Sequence, residues 1–221
     1  IKHFYHNTIH QERKYHFEAR IVKNGDDEVL FIVRDISSTR NAQVVNTALR
    51  NISLAANKKE LSIHNLCEIV GYEMEELFDS SHFYVVDFTQ YNGIKYLYSK
   101  DEQRAGDAKE DCVADYIRKT NEPLLLCNGE ISTFYSKNNL SVEIGDIQSI
   151  VGVPMLSNGS VVGAMIWESG NAETLFCQED LDALNLLSGQ VGFWIENKKS
   201  EEYEKTIVSV IENSLNEVCL L

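Results

Sequence analysis

The chain has 221 residues, 20 Lys and Arg against 34 Asp and Glu, and a formal net charge of −14 at pH 7. An acidic chain without a basic run repels phosphate, which argues against a nucleic-acid groove and against contact with an anionic membrane surface. With 43% hydrophobic and 10% aromatic residues, the composition is that of a packed globular protein of one or two domains, and no apolar stretch approaches the roughly 18 residues of a membrane span. The first residue is Ile1 rather than Met, and the last residues are apolar, which reads as a piece of a longer chain. Cys67, Cys112, Cys127, Cys177 and Cys219 form an odd set without a repeated short spacing or a secretion signal, so reduced thiols in the cytoplasm are expected.

Asn-Gly supplies positive φ at both central positions of a type I′ turn, so Asn-Gly between apolar runs predicts an antiparallel hairpin. Three of the chain's four Asn-Gly pairs are read in this way. Asn24-Gly25 separates residues 16–22 from 29–33, Asn92-Gly93 separates 83–88 from 94–98, and Asn158-Gly159 separates 151–156 from 161–167. Helical periodicity fills the intervals. Val45, Leu49, Ile52 and Ala56 follow the Ser37-Ser38-Thr39 capping cluster and predict a linker helix. Ile63, Leu66, Ile69, Val70 and Leu77 form a second stripe, and residues 112–119 a third helix that stops at Asn121-Glu122-Pro123. The longest helix is expected from Gln178-Glu179-Asp180, where acidic residues suit the positive end of the helix dipole, along Leu181, Leu184, Leu187, Val191, Trp194 and Ile195. Past Asn197 a charged run over 198–205 buries little, and apolar residues resume at Ile207, Val208, Ile211 and Leu215. Most helices lie outside the hairpins instead of alternating strictly with strands, which makes the fold class α+β.

Two stretches carry a family resemblance. The runs Ser149-Ile150-Val151-Gly152-Val153-Pro154-Met155-Leu156, Val161-Val162-Gly163-Ala164-Met165-Ile166 and Phe176-Cys177-Gln178-Glu179-Asp180-Leu181 are similar to the apolar strand ending in Val-Pro-Leu, the strand around Ile-Gly and the Phe before an acidic helix start of GAF domains. Tyr116-Ile117-Arg118-Lys119-Thr120-Asn121-Glu122-Pro123-Leu124-Leu125 resembles the helix-to-strand segment of GAF domains attached to bacterial signalling proteins. The resemblance implies a central antiparallel β-sheet flanked by helices over residues 60–199. Upstream, Phe17-Glu18-Ala19-Arg20 and Phe31-Ile32-Val33-Arg34-Asp35-Ile36-Ser37 resemble the last hairpin of a PAS domain, with Ser37 at the Thr position of its closing Asp-Ile-Thr. Residues 208–218 look like the opening helix and first strand of a further PAS domain.

The expected order is therefore the end of a PAS-like domain over 1–37, a linker helix over 38–59, the GAF domain over 60–199, and a linker helix with the start of another PAS-like domain over 200–221. Such strings resemble the sensory halves of bacterial or archaeal histidine kinases in two-component systems, with cyclic-nucleotide and cyclic-di-nucleotide enzymes as other owners.

Enzymatic motifs are missing from the sequence. It contains no GxxxxGK[ST], no GxGxxG after a strand and no nucleophile elbow, and no catalytic residue is assigned. His64 and Cys67 stand three apart on a helix, but a four-ligand zinc site needs two more partners and none lies nearby in sequence. The His3, His6, His10 and His16 set reads as solvated or strand-edge histidines, so no metal is expected. Cyclic-nucleotide GAF domains carry an Asn-Lys and then a Phe with Asp-Glu four and five residues on. Phe176 and Asp180 match, whereas Leu181 replaces the Glu and Ala172 follows Asn171. Bilin-binding GAF domains attach their chromophore through a Cys often followed by His, which neither Cys112-Val113 nor Cys127-Asn128 matches.

One GAF branch reduces free methionine sulfoxide with cysteines in the general region of Cys112 and Cys127. That chemistry needs a low-pKa thiolate and a resolving thiol, and buried structural thiols are the expectation here. In GAF domains one sheet face packs on terminal helices and the other floors a small-molecule pocket. Tyr84, Tyr98, Tyr116, Ser149, Val151 and Met165 are the expected lining residues, a mixture of apolar walls and hydroxyls suited to a ligand that the sequence does not name; a filled core is the alternative. Asp35, with Arg34 and Ser37, is the candidate for signal transmission, its carboxylate standing where Arg34 and the helix start could both hold it. Val45, Leu49, Ile52, Leu184, Val191 and Ile195 are expected to join two copies through parallel linker helices. The resulting expectation is a cytoplasmic sensory and relay module without catalysis of its own. The alternatives are a thiol-dependent enzyme of the free methionine sulfoxide reductase type and a structural dimerisation spacer that binds no ligand.

Overall fold

Asn158 and Gly159 both take positive φ, 50° and 80°, which closes a two-residue turn between β8, Ser149–Ser157, and β9, Ser160–Ser169. The two strands pair antiparallel from Ser149↔Ser169 to Ser157↔Ser160 and form the centre of the larger sheet. The computed structural model describes residues 2–10, 13–24, 28–58, 60–75, 78, 80–88, 93–100, 107–108, 111–138, 146–172 and 175–218. Ahead of the hairpin come β4 (His82–Phe88), β5 (Ile94–Ser99), β6 (Asp107–Ala108) and β7 (Leu124–Cys127), and the six strands stand in the order β6-β5-β4-β9-β8-β7, each pair antiparallel. The central antiparallel sheet and its flanking helices are the α+β architecture expected from the sequence.

One face of this sheet carries Phe83, Val85, Val151, Val153, Met155, Met165 and Trp167, all buried. Three helices cover it: α1, Ser37–Ala56; α2, Ile63–Met74; and α5, Gln178–Val218. They deliver Ile52, Leu66, Val70, Leu184, Leu187, Val191 and Ile195, each with no exposed surface. The α5 helix approaches β8 so closely that a Cβ on Gly192 would meet the Leu156 carbonyl oxygen at 2.7 Å, so any larger residue there forces helix and strand apart. The later part of α1 belongs to this layer, because Ala48, Ile52 and Ala56 are buried in the same core.

The opposite face carries Tyr84, Val86, Ile150, Ala164 and Ile166 under two short helices, α3 (Cys112–Thr120) and α4 (Gly129–Lys137). Upstream stands a separate three-stranded antiparallel sheet, β1 (Lys2–His10), β2 (Arg13–Asn24) and β3 (Glu28–Asp35), in that order. Asn24 pairs with Glu28 across the first Asn-Gly, and β1 is an additional strand. Every residue of β3 is exposed, including Phe31 and Val33 at 65% and 64%. The expected strand within 208–218 does not form, because α5 continues through Val218 and its 41 residues supply their own backbone hydrogen bonds.

Candidate functional site

The α3/α4 face gathers polar groups over an apolar floor. Asp111 caps α3, its Oδ1 accepting the backbone N–H groups of Val113 at 3.1 Å and Ala114 at 3.0 Å. That satisfies two donors which the first helical turn leaves without intrahelical partners. The other carboxylate oxygen accepts the Tyr96 hydroxyl at 3.0 Å, so the cap also ties α3 to β5. Next along α3, the Cys112 thiol shares a hydrogen bond with the Tyr135 hydroxyl from α4. Burial, then the charges of Cys112, Glu168 and Asp111, push the Tyr135 phenol well above its ordinary value, which sets the two carboxylates in its surroundings. Glu168 occupies the β9 position after Ala164 and Ile166 on this face and is 1% exposed. Tyr84 meets Tyr96 edge-on at 5.7 Å, and Tyr116 meets Phe134 at the same distance.

The six expected lining residues divide between the two faces. Tyr84 belongs to the floor under α3 and α4, and Tyr116 packs there from α3. Tyr98, Val151 and Met165 pack on the helix-covered side, and Ser149 shares the strand parity of Val151, its Oγ accepting the Phe176 N–H at 3.3 Å. The six therefore cannot line one pocket, since they stand on both sides of the sheet. A β-bulge between Val85 and Val86 decides the tyrosines: it sets Tyr98 opposite Val85 and Tyr96 opposite Val86, so Tyr96 replaces Tyr98. Tyr135 and Glu168 were not singled out in the sequence. Alternation along β9 marks Glu168 once Trp167 is assigned to the other face.

Cys67, Cys112 and Cys177 are held as thiols. Burial, then the Asp111 charge, pushes Cys112 up to about 11, and burial pushes Cys67 up to about 12. Burial and the charge of Asp180 raise Cys177 to about 12. Cys112 lies on the α3/α4 face, whereas Cys127 pairs with Ser149 in the strand position whose neighbour Leu125 packs on the other side. The Cys127 thiol donates to the Phe176 carbonyl at 3.5 Å, and Phe176 belongs to the helix-covered core. The β-sheet therefore stands between Cys112 and Cys127. Cys67 is buried in that core, while His64 is exposed and packs on Tyr98 at 5.1 Å. Among the described residues, no group of three or more His, Cys, Asp or Glu stands where it could hold a metal ion, and no helix is long and apolar enough to cross a membrane.

The junction between the two sheets is knotted at Asp35. Its Oδ1 accepts the Ser37 backbone N–H at 2.9 Å and the Ser37 hydroxyl at 2.6 Å. Ser37 Oγ in turn accepts the His16 N–H at 2.9 Å, and the Ile36 N–H donates to the His16 carbonyl at 2.8 Å. One buried serine thus joins β2, the end of β3 and the start of α1. Arg34 stands in register with Glu18, and the hold on the Asp35 carboxylate comes from the helix start.

A second clamp sits where α5 leaves the domain. Lys198, 4% exposed, donates to the Lys58 carbonyl just beyond α1 at 2.8 Å and to Glu201 at 2.9 Å. Lys199 donates to Asp87 on β4 at 2.5 Å and to Glu196 at 2.6 Å. Burial lowers the affinity of its ammonium for the proton, and the two carboxylates outweigh that and hold it above its ordinary value. The proposed dimer residues are corrected here. Val45, Ile52, Leu184, Val191 and Ile195 are buried in the intramolecular core and Leu49 packs against it, because the apolar stripe that reads as a seam in sequence is the stripe that faces the sheet.

A six-stranded antiparallel sheet between two helical layers, each with its own buried apolar cluster, defines the class of α+β domain. The chain belongs to the GAF domain family, whose model matches residues 60–196, and GAF domains are generally sensory or regulatory modules. Solved structures share the fold at low identity. The GAF domain of an Acinetobacter phosphoenolpyruvate-protein phosphotransferase is 15% identical, covers 73% of this chain and 95% of its own, and has a TM-score of 0.57. The free methionine-R-sulfoxide reductase of Neisseria meningitidis, solved with its substrate, is 14% identical over 74% of this chain and 92% of its own, with a TM-score of 0.57. A phycoerythrobilin-bound GAF domain from a cyanobacterial phytochrome is 11% identical over 73% and 99%, with a TM-score of 0.56. No curated protein matches the chain.

Proposed function

We propose that the chain is a cytoplasmic sensory and relay module that takes up a small molecule between the α3/α4 layer and the sheet face floored by Tyr84, Ile150 and Ile166. The observation that carries this reading is the convergence of Tyr96, Asp111, Cys112, Tyr135 and Glu168 on an otherwise apolar face, since small-molecule sites combine apolar walls with a few placed polar groups. The β4 strand links this face to the exit of α5, because Tyr84 and Val86 belong to the floor while Asp87 holds Lys199. In this reading the upstream sheet is the end of a PAS-like domain that enters through the Asp35–Ser37 knot, the parent is a sensor histidine kinase, and the module works as a homodimer. Native mass spectrometry of freshly purified protein, followed by denaturation and identification of released compounds, tests it. A stoichiometric small molecule is expected. A ligand-free protein that also shows no thermal shift with a metabolite panel would overturn the sensing reading in favour of a spacer.

The thiol-dependent reductase reading has a specific test. Two thiols that exchange electrons through a disulfide must approach within a Cα separation of about 7 Å, and the separation of Cys112 and Cys127 by the sheet disfavours the pair. Their replacement by Ser is expected to leave NADPH-coupled reduction of free methionine sulfoxide at the background level of the unaltered chain.

A further inference from the structure

Two half-buried thiols come together where α5 begins. Cys127 closes β7, and Cys177 stands one residue ahead of α5. Phe176 fastens the second segment over the first: its N–H donates to Ser149 Oγ at 3.3 Å, and its carbonyl accepts the Cys127 thiol at 3.5 Å. The geometry of one peptide unit puts Cys177 Cα about 2.8 Å from that carbonyl oxygen, and therefore no more than about 6 Å from Cys127 Sγ. The two Cα atoms are then at most about 9 Å apart, whereas a disulfide spans up to about 7 Å, so closure takes no more than about 2 Å of backbone movement. The Cys177 thiol is hydrogen-bonded instead with Asp180 and Glu179 of the first helical turn.

We propose that Cys127 and Cys177 are a redox-modification site, closing to a reversible disulfide on exposure to hydrogen peroxide. In the first step the Cys127 sulfur attacks one peroxide oxygen: the O–O bond breaks, an S–O bond forms, and Cys127 becomes a sulfenic acid as water leaves. In the second the Cys177 sulfur attacks the Cys127 sulfur: the S–S bond forms, the S–O bond breaks, and the Cys177 proton departs with the hydroxide as a second water. Two electrons pass from the two sulfurs to the peroxide, and a dithiol reductant returns them. Position selects the pair. Cys67 has no exposed surface, and Cys112 lies across the sheet. Burial and the Asp180 charge raise Cys177 to about 12, which gives it the resolving role and leaves the encounter with peroxide to Cys127. Oxidation draws the Cys177 thiol off Asp180 and Glu179 and ties the start of α5 covalently to β7. This pair is distinct from the Cys112 and Cys127 of the reductase reading, and its closure requires no bound ligand.

The whole chain carrying Cys219→Ser, which removes the thiol outside the described residues, is treated with hydrogen peroxide, alkylated and digested for peptide mass spectrometry. A peptide pair linked through Cys127 and Cys177 is expected, and dithiothreitol should abolish it. Cys112→Ser should form the linkage like the parent. In Cys177→Ser, whose hydroxyl still suits a helix start, Cys127 should instead be trapped by dimedone as its sulfenic acid. A chain that stays reduced, a linkage of Cys127 to Cys112, or a 127–177 linkage that forms only after unfolding in urea would each overturn the proposal. The parent map needs no substitution at either cysteine, so a variant that fails to fold does not remove the test. A ligand-free protein that forms the linkage would leave this site standing while removing the sensing reading.

Discussion

On one face of the central sheet Phe83 stacks on Trp167 at 4.6 Å, Phe78 meets Phe176 at 5.8 Å, and three helices supply aliphatic side chains with no exposed surface. On the other face tyrosines outnumber phenylalanines, the covering helices have nine residues each, and Asp111, Glu168 and Cys112 are buried. The first face is complete by itself, since apolar groups need only close packing. The second packs Val113, Ile117 and Ile131 in the same way and adds directional hydrogen bonds, which tie α3 to β5 through Asp111 and Tyr96. Polar groups are thus concentrated on one side of a single sheet.

Truncation separates the two faces most strongly. Trp167→Ala is expected to destabilise the domain by about 3–5 kcal/mol, the scale for removing a buried aromatic, read from urea unfolding; a loss under about 1 kcal/mol would mean that the helix-side core is not closed. Asp111→Ala should cost about 2 kcal/mol through the lost helix cap and Tyr96 contact. Tyr96→Phe should cost about 1 kcal/mol. The two effects should fall short of additivity when combined, because both remove the same hydrogen bond; strict additivity would show that the bond does not form. A further effect is alkaline. Cys67 in the folded protein is pushed up to about 12 from an ordinary 9.0. The stability this thiol contributes is fully present below pH 9 and is lost as pH rises toward 12, because the unfolded chain releases its proton first. Unfolding free energies at pH 7.5 and pH 10 should therefore fall more for the parent than for Cys67→Ala, and equal falls would contradict the burial assigned to this thiol.

What the sequence disclosed follows from how local each signal is. Asn158-Gly159 was legible because its two positive φ angles depend on those residues alone. The three stripes of α1, α2 and α5 were legible as amphipathic helices, but their partner was not: an apolar stripe reads the same whether it meets a sheet or a second copy, so Val45, Leu184 and Val191 were assigned outward and lie inward. The α4 helix escaped notice because Asn128-Gly129 looks like a turn, and Asn128 does take a positive φ of 48° just before the helix begins. The pocket lining depended on register between β4 and β9, where Tyr84 pairs with Ile166 and Val85 with Met165. No local pattern encodes that pairing, or the bulge that exchanges Tyr98 for Tyr96.

The grip of Asp87 and Lys58 on adjacent lysines gives α5 a mechanical character. The helix runs 19 residues past Lys199 to Val218, a lever arm of roughly 28 Å at 1.5 Å per residue. With its fulcrum at the clamp, a tilt of about 5° swings the far end by roughly 2.5 Å, more than the 1–2 Å helix displacements through which switching proteins signal. A strand movement too small to disturb the core would thus be magnified into a stroke at the far end of the helix.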